Sequence, residues 1–161
     1  MTRNILFRGK RTSDGAWVYG SYIRATDRWH KYGFHEDWIS TMSYANGGWF
    51  NLVQKFPVRP ETVGQYTGLN DKNEKRVFEG DILRIAKKSD GLGTYYIPPL
   101  DYPVLVVVKW DLCAWMWETL TDDKYYIGFP EAWCHYECEV IGNIFDNPEL
   151  CPKEEKSSGT A

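Results

Sequence analysis

Pro103-Val104-Leu105-Val106-Val107-Val108-Lys109-Trp110 is the most apolar run in the chain. Side chains alternate between the two faces of a strand, so five consecutive aliphatic residues make both faces apolar. Such a run reads as a central strand, paired on either side and covered on both faces. Upstream, Gly80 to Ala86 reads as its antiparallel neighbour, joined to it through a loop from Lys87 to Leu100 that contains Gly91, Gly93, Pro98 and Pro99. Downstream, Leu112 to Leu120 is a further strand that places Trp115 and Trp117 on one face. Glu137 to Phe145 is the last strand, and Val140 to Phe145 is placed to close the sheet.

The N-terminal half repeats the pattern less strongly. Asn4 to Arg8 is a short strand, and Ser13, Asp14 and Gly15 supply turn chemistry. Trp17 to Arg24 follows, so the chain opens on a hairpin. Ala25 to Trp49 is irregular, and Asn46-Gly47-Gly48 marks a turn between a strand before Tyr44 and one from Trp49 to Phe56. Pro57 and Pro60 punctuate the chain before the strand formers of Glu61 to Thr67. Gly68 to Lys75 is a polar connection, and Pro130 to Tyr136 is expected to form one short helical turn. Many short strands broken by Gly and Pro argue for an all-β barrel or sandwich. The expected organisation is a single domain over residues 1–150 and a polar, disordered tail over 151–161.

Eight Trp, eleven Tyr and seven Phe make 16% of the 161 residues. Rings suit the half-buried surface of a sheet, so the excess points to a β core and a subunit interface. The net charge is −3, which gives no global field for duplex nucleic acid. No run is apolar and long enough to cross a membrane, and the first ten residues lack a signal-peptide core. The expected location is the cytoplasm, with Cys113, Cys134, Cys138 and Cys151 as reduced thiols.

Four constellations carry possible chemistry. Asp71-Lys72-Asn73-Glu74-Lys75 begins like a calcium loop, but Lys75, Arg76 and Ile82 stand where an oxygen ligand, a glycine and a glutamate are needed. Cys134, His135 and Cys138 form half of a zinc knuckle without its partner, so small residues beside a strand are the simpler reading. Glu79 and Asp81 are two apart and share a face if they lie on a strand, the minimal requirement for a hydrolase acid–base pair. A turn that launches the following strand is the simpler reading of those two as well. Arg8 and Lys10 interleave with Trp17 and Tyr19, the residue types that hold single-stranded bases. The acidic net charge counts against that reading. No nucleophile elbow, P-loop or dinucleotide fingerprint is present. No cofactor or catalytic residue is expected.

Pro60-Glu61-Thr62-Val63-Gly64-Gln65-Tyr66-Thr67-Gly68-Leu69, continuing through Asp71-Lys72-Asn73, Lys75 and Phe78-Glu79-Gly80-Asp81-Ile82-Leu83, resembles the YopX family. The likeness also covers Phe7-Arg8 and Trp17-Val18-Tyr19-Gly20, and returns in Val140-Ile141-Gly142-Asn143-Ile144-Phe145 and Asn147-Pro148-Glu149-Leu150. The resemblance implies a phage or prophage origin and an all-β pseudo-barrel of short, mostly antiparallel strands with at most one or two short helices. It brings no established catalytic or metal-binding residue. Glu61, Gln65, Tyr66, Thr67, Gly68, Asp71, Glu79, Gly80, Asp81, Gly142 and Asn143 therefore stand as motif residues with a structural or interaction role. Gly80-Asp81 before Ile82-Leu83-Arg84-Ile85 is also similar to the strand entry of small SH3-like barrels. The leading expectation is a non-enzymatic interaction protein acting as a homo-oligomer, with a phage or host protein as possible partner. The alternatives are a single-strand nucleic-acid binder and a hydrolase using Glu79 and Asp81.

Overall fold

The computed structural model describes residues 5–24, 36–44, 51–87, 103–111, 113–121, 124–128 and 136–151. Among them the regular structure is eleven strands and two single 3-10 turns, so the all-β expectation holds. The helical turn expected at Pro130 to Tyr136 lies outside the described residues, except that Tyr136 begins a strand. The polar tail lies outside them after Cys151. The chain divides into two compact units, Met1–Leu69 with Arg76–Glu79, and Asn70–Lys75 with Gly80–Ala161.

The first unit is built on a six-stranded sheet. Its strands are β1 (Phe7–Lys10), β2 (Trp17–Ile23), β3 (Asp37–Tyr44), β4 (Asn51–Val58), β5 (Gly64–Asn70) and β6 (Arg76–Phe78), in the order β4-β3-β2-β1-β5-β6. β1 and β2 form the expected antiparallel hairpin, with Arg8 opposite Tyr19 and Lys10 opposite Trp17. Its turn is held by Asp14, which accepts the Ala16 amide at 3.1 Å and pairs with Arg11 at 2.5 Å. Ile39 and Val58 are buried on the inner face of the meander. Tyr22 lies opposite Ile39 on that face and donates its hydroxyl to Asp37.

The far end of β4 is tied back to β1. Val58 bridges to Arg11, the Thr12 amide donates to Pro57 at 3.0 Å, and the Arg59 amide donates to Lys10 at 2.9 Å. The meander therefore curls as a pseudo-barrel does, while the sheet remains open. Pro57 is tolerated because β4 is an edge strand, where a missing N–H breaks no ladder. The stretch read as strand from Glu61 begins instead with a 3-10 turn at Pro60–Thr62, because proline pre-sets the backbone for the first helical position. Thr62 then anchors β1 by accepting the Lys10 amide at 2.9 Å.

The second unit is built on a five-stranded sheet of β7 (Asp81–Lys87), β8 (Val104–Asp111), β9 (Ala114–Thr119), β10 (Tyr126–Gly128) and β11 (Tyr136–Asn143), in the order β10-β9-β8-β7-β11. The apolar run is the middle strand, as its two-sided pattern requires, and Val104, Val106, Val107 and Val108 are all buried. One face carries Leu83, Ile85, Val106, Val108, Trp117, Cys138 and Val140, all buried. The other carries ion pairs, Glu118 with Lys109 and Lys124, and Glu139 with Arg84 and Lys72. β11 pairs antiparallel with β7, with a bulge between Val140 and Gly142, but it ends the sheet as an edge strand and does not close it.

Candidate functional site

Strand alternation and register place a set of rings and cations on one face of the first sheet. Arg8 lies opposite Tyr19 on β2 and opposite Gly64 on β5, and Lys10 lies opposite Trp17, so all four sequence-predicted residues share that face. Tyr66, two positions beyond Gly64, joins them, and Phe78 completes the set from β6. Phe78 is the hub, with its ring centroid 5.6 Å from that of Tyr19 and 5.5 Å from that of Tyr66.

The cations bind to the rings by electrostatics. The Arg8 guanidinium lies 4.6 Å from the Trp17 centroid and 5.0 Å from the Phe78 centroid, and it donates to the Glu79 carbonyl at 3.0 Å. Arg8 is buried, where a cation–π contact is worth about 2 kcal/mol, so it serves as the internal clamp of the face. Lys10 flanks Trp17 at 5.5 Å, and Arg76 flanks Tyr66 at 5.9 Å. Tyr19 is 48% exposed at the centre of the strip. Gly64 makes the geometry possible, since a β-carbon there would stand 2.6 Å from the Glu79 carbonyl oxygen. Together these residues form a surface that can stack planar groups and attract anions.

The motif residues do other work. The Asp71 carboxylate is 5% exposed and accepts three backbone amides, those of Asn73 at 2.8 Å, Lys75 at 2.9 Å and Val140 at 2.9 Å. With the Lys72 amide donating to Cys138 at 2.9 Å, this turn caps the outer edge of β11 as a further strand would. Thr67 donates to the Val77 carbonyl at 2.9 Å and accepts the Leu69 amide at 3.2 Å beside Gly68, which takes a positive φ of 94°. Asn143 accepts the amides of Phe145 at 3.0 Å and Asp146 at 2.9 Å, closing the turn after β11. The Gly80 amide donates to Val108 at 2.9 Å, and Gly80 accepts the Ile144 amide at 3.0 Å. Gln65 pairs with Phe7 and accepts the Glu79 amide at 2.9 Å, while Glu61 is exposed.

Glu79 belongs to the first unit and Asp81 to the second, where Asp81 is buried opposite Asn143 at the start of β7. Cys138 is buried in β11, and Cys134 and His135 lie outside the described residues. Among the described residues, no three His, Cys, Asp or Glu side chains converge on a metal position. Burial and the Asp37 carboxylate push the Tyr22 phenol up to about 12. Burial also pushes the Glu118 carboxyl up, but the two lysines bonded to it outweigh burial and hold it below its ordinary value.

The sequence places Phe78 in the family motif and Arg76 in the polar segment before it, but assigns neither to this face. Arg76-Val77-Phe78 is only three residues long, and its alternation is too short to announce a strand. It pairs with β5, the strand just before it in the chain, and that pairing brings Phe78 beside Tyr66.

The sheets, held by buried polar side chains at their turns, define a small all-β protein. Residues 6–151 match the family model described as YopX protein, and the chain belongs to the YopX family. The chain is similar in fold to the structure titled "Crystal structure of protein EF1440 from Enterococcus faecalis", at 21% identity and a TM-score of 0.50. That likeness covers 94% of this chain and 100% of the other. No curated protein matches the chain.

Proposed function

We propose that this YopX-family chain is a phage- or prophage-encoded, non-enzymatic interaction module that acts as a homo-oligomer in the bacterial cytoplasm. The observation that carries the reading is the exposure of large rings on the second sheet. Trp110 is 51% exposed although it packs edge-on against Trp115 at 5.0 Å, and Tyr126, on the three-residue edge strand β10, is 53% exposed. Rings of this kind are enriched at protein interfaces, and sheet edges are commonly covered by a second subunit. The motif side chains support a scaffold role, because Asp71, Thr67 and Asn143 each hold backbone groups.

Gel filtration with in-line light scattering tests the oligomer. A mass above one chain at micromolar concentration is expected, and Trp110→Gln or Tyr126→Gln should lower it. A strict monomer at high concentration overturns the claim. The reading also expects the coding gene to lie among phage genes.

A further inference from the structure

We infer that the β1–β2–β5–β6 face of the first unit binds single-stranded nucleic acid, with Trp17, Tyr19 and Tyr66 meeting bases and Lys10 and Arg76 meeting phosphates. The inference rests on the reading of the chain as an interaction module and names the partner class for this face.

Three features point to an unpaired, anionic, ring-bearing ligand. Trp17 and Tyr19 are two residues apart on one strand, so their rings repeat at about 6.8 Å, a spacing that suits successive bases of an extended strand. The two outer cations stand at opposite margins of the ring strip, Lys10 beside Trp17 and Arg76 beside Tyr66, where a backbone crossing the face would run. Arg8, buried between Trp17 and Phe78, holds those rings in place before any ligand arrives, which lowers the ordering cost of binding. A duplex hides its base faces in its own stack and offers nothing to these rings. The net charge of −3 means that attraction comes from the local cations alone.

The test is fluorescence anisotropy with end-labelled single strands, DNA and RNA, of about 12 nucleotides, a length within the range one small β domain covers. Binding at low salt is expected, with a slope of log affinity against log salt of about −1.4 for two cations. Tyr19→Ala should weaken binding roughly five- to a hundredfold, the loss of one stacked base, while Tyr19→Phe should retain it. Arg76→Gln should flatten the salt slope by about 0.7. Gln54→Ala, exposed on β4 and outside the ring strip, should leave affinity unchanged. Thermal melts of each variant establish that the fold survives.

No anisotropy change at low salt, equal affinity for a duplex, or a Tyr19→Ala variant that binds like wild type overturns the inference. The interaction-module reading fails separately. A monomeric mass refutes its oligomer claim, and an oligonucleotide found cleaved on a denaturing gel refutes its non-enzymatic claim.

Discussion

Replacing Asp71 by alanine should destabilise the second unit severely, although Asp71 lies in a polar turn. The side chain is 5% exposed, and its two oxygens accept three amides. The Val140 amide is the costly one, since Val140 and its bond to Asp71 are buried and water does not readily replace the carboxylate there. A charge-assisted bond of this kind contributes about 1.5–3 kcal/mol. Asn73 and Lys75 are exposed, so water can take over their amides, and each loss costs about 0.5–1 kcal/mol. The sum is about 2.5–5 kcal/mol, which corresponds to a fall in melting temperature of very roughly 5–20 °C for a chain of this size. Asp71→Asn should lose less, because one amide oxygen still serves one side of the site while the NH2 group faces a donor on the other. Thermal and urea melts read the stability, and hydrogen exchange reads the Val140 amide directly. An Asp71→Ala variant that melts within about a degree of wild type and keeps Val140 protected would refute the reasoning.

Three further outcomes are expected. Gly142→Ala should cost about 1–3 kcal/mol, since its β-carbon would stand 2.4 Å from the Asn147 Oδ1. Adding Asn147→Ala should recover part of that loss, and additive effects in the double-mutant melt would contradict the clash. Glu118 ionises below its ordinary value when folded, so its contribution is full above an unfolded value of about 4.3 and is lost as pH falls through the folded one. Glu118→Gln should therefore melt lower at neutral pH and converge with wild type in acid, and a constant gap across pH would exclude the ion-pair account. The Tyr22 phenol is raised to about 12, so its stabilisation is complete below an unfolded value of about 10 and is lost as pH rises from there towards 12. Tyr22→Phe should remove one phenolate from the alkaline end of an ultraviolet titration, and a phenolate lost near pH 10 instead would contradict its burial.

Much of the second sheet was legible from local pattern. The valine run has apolar residues at both parities and is the middle strand, and Gly80 to Ala86 is its antiparallel neighbour. The opening hairpin was equally legible, because Asp14 and Gly15 carry their turn chemistry locally. β6 and β10 were not, since three residues hold too little periodicity to be told from loop. The same limit governs the candidate site. Arg8, Lys10, Trp17 and Tyr19 could be grouped because one hairpin joins them, but Arg76 and Phe78 lie more than fifty residues further on.

The amino-acid order alone established an all-β chain of the YopX family, because alternation, turn residues and a contiguous motif are properties of neighbours. The folded chain decided what the motif is for. Asp71 meets Val140 across 69 positions, and Phe78 reaches Tyr19 from another strand. Such meetings are fixed by strand register and sheet curvature, which depend on all the strands at once, so no local stretch of sequence encodes them.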